Sequence, residues 1–180
     1  MDPNTLTSLT IAEAAAAMQR GEMTAAAYAE ALIAQAEKAA ALNAFIHFDA
    51  QAVRDAAAAA DRHRSSGTGQ SPAPLHGVPL ALKDNLDTAA MPTTGGTPGL
   101  KGHRPKHDAA VVQKLVAAGA IVFGKANLHE LAYGITNNNA GFGAARNPYD
   151  ASRIPGGSSG GVGVAVGARV VPGGIGTDTG

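Results

Sequence analysis

The sequence predicts an α/β fold, a sheet with helices packed on it. Three features carry that expectation. The first third is Ala-rich and punctuated by helix-cap signals. Two apolar runs, 78–83 and 120–123, flank a segment with helical spacing of Val111, Val112, Leu115 and Val116. The character of the chain also changes after His76, from Ala-rich to rich in Gly, Pro and Thr. With 45% hydrophobic and 16% charged residues over 180 positions, the chain is long and apolar enough to bury a core.

Each element has a local reason. Thr10 and Glu13 form a capping-box pattern, which predicts a helix over 11–20 ended by Gly21. Thr24 caps a second helix through about residue 42, with Tyr28, Leu32 and Ala36 on one face. Residues 45–48 read as a short strand, and Asp49 caps a helix over 50–64. Residues 65–74 are rich in Ser, Gly and Pro, a linker composition. Beyond it come a buried strand at 78–83, a loop over 93–105, and a helix capped by Asp108 and ended by Gly119. A strand over 120–123, a loop over 137–148, a small-residue helix over 161–169 and a strand near Val170 complete the reading. The organisation expected is an N-terminal helical region (1–64), a linker (65–75) and a core region (76–180).

Composition excludes several function classes. Lys plus Arg and Asp plus Glu both number 14, so no basic stripe points to direct nucleic-acid binding and no polybasic run to a membrane surface. There is no cysteine, which removes disulfides, thiolate metal sites and a cysteine nucleophile. No signal segment or membrane-length apolar run is seen, so a cytoplasmic protein is expected. Aromatic residues are only 4%, with no Trp, and Gly numbers 23; this is thin for a self-sufficient core and suggests an incomplete unit.

Four constellations could carry chemistry. In Pro155-Gly156-Gly157-Ser158-Ser159-Gly160-Gly161, four glycines free the backbone around two serines at a helix start, where amides collect partial positive charge. That arrangement suits an oxyanion; the same composition also fits a flexible linker. A phosphate loop is disfavoured because the Lys-Ser/Thr ending is missing. Gly176-Thr177-Asp178-Thr179-Gly180 is either a second such site or a surface turn. Lys83 closes an apolar strand, so it is either a buried amine with a lowered pKa, able to act as a base, or a lysine reaching out to water. His129-Glu130 lacks a second histidine at position 133, which is Tyr133, so zincin spacing fails and all six histidines read as structural or solvated.

The order of these pieces is more specific than any one of them. Lys83, then "GKANLHELAYG", "NPYD", "PGGSSGG" and "GTDTG" resemble the amidase-signature family from Leu75 to Gly180. The resemblance implies a mixed sheet flanked by helices, of which these residues form the N-terminal part. It also implies hydrolysis of small carboxamides without metal or organic cofactor, by a Ser-Ser-Lys triad acting through an acyl-enzyme. Lys83 matches the family's catalytic lysine, and Ser158 the bridging serine, which follows a cis peptide bond. Thr179 and Gly180 match the start of the oxyanion-hole backbone, with Gly156, Gly157, Ser159, Gly160 and Asp178 as the supporting loops. The nucleophilic serine is expected two positions after Gly180, outside these residues. The 180-residue chain alone is therefore expected to be inactive, either an enzyme cut short or a non-catalytic remnant.

Within the family, "NLHELAYGITNNN" and "FGAARNPYD" look more like the indoleacetamide and mandelamide hydrolases. The alternative is the amidase component of the tRNA-dependent amidotransferase, which more often has an acidic residue at the place of His129 and Phe at that of Leu131. A small-molecule amide is the partner implied; a homodimer is left open.

Overall fold

The computed structural model describes residues 2–66 and 73–178. Six α-helices and four strands are seen among them: α1 (Pro3–Thr7), α2 (Ile11–Arg20), α3 (Ala25–Lys38), β1 (Phe45–Phe48), α4 (Ala50–Ser65), β2 (Pro79–Lys83), α5 (Ala110–Ala117), β3 (Ile121–Ala126), α6 (Gly160–Gly167) and β4 (Gly174–Ile175). The strands form one mixed sheet in the order β1-β3-β2-β4. β2 runs parallel to both β3 and β4, and β1 is antiparallel to β3.

The cap signals act as read. Thr10 accepts from the Glu13 amide while the Glu13 carboxylate accepts from the Thr10 amide, and Gly21 closes α2 at φ +75°. Asp49 accepts from the amides of Gln51 and Ala52 at the start of α4. Other expectations need correction. α3 ends at Lys38, and residues 40–42 form a separate 3-10 turn closed by Asn43 in the left-handed region. Asp108 does not cap α5; its carboxylate accepts instead from the Ala89 amide (2.7 Å), and Ala109 stands at the cap without a side-chain bond. No strand forms at Val170, which is buried in a bend after α6; the strand is β4, drawn to β2 through the pair Leu82 and Ile175. α1 is an addition to the expected elements; Asp2 caps it and Pro3 opens it.

One apolar core gathers side chains from Leu6 to Val171. Tyr28 and Leu32 of α3 are fully buried in it, as the helical spacing predicts, and Phe48 stacks on Phe123 at 4.9 Å between β1 and β3. β2 lies between two strands and is buried along its whole length, which is why it reads as an unbroken apolar run. Of the linker, 67–72 lie outside the described residues. Leu75 and Gly77 beyond them are held by backbone bonds to Ala118 (2.8 Å) and Gly119 (2.9 Å). No helix among the described residues is long and apolar enough to cross a membrane.

Candidate active site

The parallel strands bring their C-terminal ends together, and Lys83 is the last residue of β2. Its side chain has no solvent exposure. The amine Nζ lies 2.7 Å from Ser158 Oγ, 2.9 Å from Thr177 Oγ1 and 3.1 Å from the Thr177 carbonyl. Burial pushes the Lys83 ammonium below the ordinary lysine range, and the charge of Asp178 pulls it partly back. Of the two readings open in the sequence, the structure therefore has the buried amine and not the lysine that reaches water.

Ser158 is positioned by the loop that leads into α6. The Gly157–Ser158 peptide bond is cis, and Gly156 takes φ +83°. Gly157 passes so near the 134–137 backbone that a Cβ there would stand 3.0 Å from the Ile135 carbonyl carbon. The Ser158 carbonyl accepts from the His129 amide (3.1 Å). Gly160 opens α6 with its amide on Asn137 Oδ1 (3.0 Å), and Asn137 is itself fully buried. Ser159 ties the loop to the segment after β4, donating to the Thr177 carbonyl (3.2 Å) and accepting from the Thr177 amide (3.3 Å). Residues of 155–160 and 176–178 line an open cleft at this point.

Lys83 and Ser158, 75 residues apart in the chain, are thus in direct contact. Gly156, Gly157, Ser159, Gly160 and Asp178 surround them. Thr179 and Gly180 lie outside the described residues. Sequence reasoning missed Thr177, Asn85 and the pair Asp84 and Lys125. Thr177 stands inside the Gly-flanked 176–180 run, but only the β2–β4 pairing puts it beside Lys83. Lys125 carries the same signal as Lys83, a lysine inside an apolar strand, and it is also fully buried. Among the described residues, no group of three or more His, Cys, Asp or Glu side chains could hold a metal ion.

The Amidase family model matches residues 27–180. The chain belongs to the amidase family. This amidase-family chain is 45% identical to indoleacetamide hydrolase of Agrobacterium vitis over 163 residues, 91% of the chain and 34% of that protein. It is 43% identical to the amidase component of the glutamyl-tRNA(Gln) amidotransferase of Chloroflexus aurantiacus over 173 residues, 96% of the chain and 35% of that protein. Its fold matches the peptide amidase of Stenotrophomonas maltophilia with a TM-score of 0.83 at 38% identity, covering 91% of the chain and 35% of that structure. The amidase-family chain therefore spans about a third of the length of these relatives.

Proposed function

We propose that these residues form part of an enzyme that hydrolyses a small linear carboxamide to a carboxylate and ammonia, through a relay of serine, bridging serine and lysine. The observation that carries the reading is the 2.7 Å contact between Ser158 Oγ and the buried Lys83 amine. A serine hydroxyl is a weak nucleophile until a base takes its proton. Lys83, kept neutral by burial, accepts the Ser158 proton, and Ser158 in turn takes the proton of the nucleophilic serine two positions beyond Gly180. This is a variant of the Ser-Lys logic, with no histidine. Attack on the carbonyl carbon builds an oxyanion that backbone N–H groups near Thr179 and Gly180 would meet. Collapse breaks the C–N bond, the relayed proton returns to the leaving nitrogen, and ammonia departs. Water, activated by the same relay, then cleaves the acyl-enzyme.

The reaction so written calls on no cofactor. The residues of 127–139 and 141–150 favour an indoleacetamide- or mandelamide-type substrate, with His129 and Leu131 at the positions that set this group apart. Transfer of ammonia to aminoacyl-tRNA is the second reading, supported by the 43% identity to the amidotransferase component. Ammonia release from indoleacetamide, phenylacetamide and glutamine by the full-length enzyme tests both. Turnover of the aryl amides supports the first reading, and turnover of glutamine alone the second. The 180-residue polypeptide by itself should release no ammonia above a Ser158→Ala control; release would show that the nucleophile has been misassigned.

A further inference from the structure

We propose that Thr177 is the residue that aims the lone pair of Lys83 at Ser158, with Asn85 fixing the Thr177 hydroxyl in its accepting role. The inference rests on the proposed relay and adds two positioning residues to it.

A neutral primary amine has two N–H donors and one lone pair, and it turns freely about its Cε–Nζ bond. It is a base toward Ser158 only when the lone pair faces the Ser158 hydroxyl. Three oxygens surround Nζ: Ser158 Oγ at 2.7 Å, Thr177 Oγ1 at 2.9 Å and the Thr177 carbonyl at 3.1 Å. The carbonyl can only accept, so it takes one N–H. The Thr177 hydroxyl oxygen has two accepting positions. Asn85 Nδ2 donates into one of them at 2.9 Å, and the second N–H of Lys83 fills the other. Both donors are then spent on one residue, and the lone pair is left for the shortest contact, Ser158. After transfer the ammonium has three N–H groups for the same three oxygens. The cage therefore accommodates both protonation states without rearranging.

Thr177 is itself held from two sides. Ser159 binds its amide and its carbonyl, and β4 is paired with β2. The charged groups around Lys83 do not supply this orientation. Asp178 acts on the amine through its charge, and Asp84 lies across the strand in contact with Lys125. The amide of Asn85 is committed to Thr177 through its nitrogen, while its Oδ1 is buried without a hydrogen-bond partner among the described residues.

The test is the pH dependence of kcat and KM in the full-length enzyme for Thr177→Val, Thr177→Ser, Asn85→Ala and Lys83→Ala. Thr177→Val keeps the shape and removes the hydroxyl. Its plateau kcat should fall about tenfold, a part of the ~10²–10⁴-fold that general-base help supplies. KM should stay within about twofold, because the lost interaction belongs to the base and not to substrate binding. The acid limb should also move to lower pH, since an N–H acceptor stabilises the ammonium more than the amine. Thr177→Ser should restore kcat and limb, and Asn85→Ala should shift both in the same direction by less. Asn85→Ala keeps the test open even if Thr177→Val folds poorly. Parental kcat and limb in Thr177→Val and Asn85→Ala, where Lys83→Ala is inactive, would overturn the inference and leave the relay standing. Equal losses in the Val and Ser variants with an unmoved limb would overturn it as well, by showing a purely structural role. Full turnover in Lys83→Ala would instead remove the relay itself.

Discussion

Lys125 Nζ lies 3.0 Å from Asp84 Oδ1, and both side chains are sealed from solvent. The other carboxylate oxygen accepts from the Thr94 amide (3.0 Å) and hydroxyl, while Lys125 also donates to Thr93 Oγ1 (2.8 Å) and the Pro92 carbonyl (3.0 Å). The pair thus fastens the 92–96 loop to the ends of β2 and β3. Alternation along β2 sends Asp84 away from Lys83, so the carboxylate meets Lys125 on the opposite face of the sheet. Burial lowers the pKa of Lys125, and Asp84 opposes that shift through charge and hydrogen bond.

Removing one member of this pair should cost more than removing both. Lys125→Met leaves a buried carboxylate without its counter-charge, which typically costs ~3–5 kcal/mol. Lys125→Met combined with Asp84→Asn should be less destabilised than Lys125→Met alone. Urea denaturation of the two variants of the full-length enzyme measures the difference. A double variant no more stable than the single one would contradict the assignment of an ion pair.

The second expectation concerns the base. Lys83→Ala should lower kcat by about 10²–10⁴-fold with the fold intact. Lys83→Arg should not restore it, because a guanidinium stays protonated. The amine works only when deprotonated, so activity should rise with pH through the Lys83 pKa. Burial sets that limb below the ordinary lysine value of about 10.4. A pH–rate profile of the three proteins decides it. Near-normal kcat of Lys83→Arg at neutral pH would mean that the side chain serves as a positive charge only.

What can be read from the sequence is local. Thr10, Glu13, Asp49 and Gly21 act within three or four residues of chain, and their caps form as spacing predicts. β2 is legible because it is buried on both sides. The apolar run of β3 stops at Phe123, yet the strand continues to Ala126, because Lys125 is polar in sequence and hidden in the fold by Asp84. Asp108 has the composition of a cap, but a tertiary partner, the Ala89 amide, claims its carboxylate. β4 is two residues long and contains a glycine, so its existence depends on β2 and not on its own propensity. Thr177 and Asn85 meet Lys83 only after that pairing, at separations of up to 94 residues, where no local pattern could announce them.

Acid should weaken the fold through His76. The ring is buried, 6.3 Å from that of His63, and its Nε2 has no hydrogen-bond partner among the described residues. Burial lowers its pKa first, then the charges of His63 and Arg64, against Asp61 and the Ala60 carbonyl. A histidine with a depressed folded pKa stabilises above its unfolded value of about 6.5, and that contribution is lost as pH falls through the folded value. Melting temperatures of the full-length enzyme between about pH 8 and pH 5 should therefore fall more steeply for the parent than for His76→Gln. Parallel curves would remove His76 from the account.

Two glycines of α6 should respond to alanine with opposite signs. A Cβ at Gly161 would stand 2.3 Å from the Asn127 carbonyl oxygen, 2.4 Å from the Asn127 nitrogen and 2.6 Å from the Ala44 carbonyl oxygen. All three are backbone atoms, and the Asn127 carbonyl already accepts the Gly161 amide at 2.9 Å, so neither strand end nor helix can yield by a rotamer change. The close approach is what lets α6 start directly behind Ser158. Gly161→Ala should therefore cost at least the ~1–3 kcal/mol typical of overpacking. It should lower kcat as well, because any retreat of α6 moves Ser158 from Lys83. Gly163 lies one half-turn on, exposed, with nothing within 4 Å of the added methyl. There the helix gains the propensity difference between alanine and glycine, about 0.5–1 kcal/mol, with kcat unchanged. Denaturation and ammonia-release assays on the two variants check both signs. A Gly161→Ala enzyme of parental stability and activity would mean that α6 is free to move, and that the Ser158 loop is not positioned from behind as described.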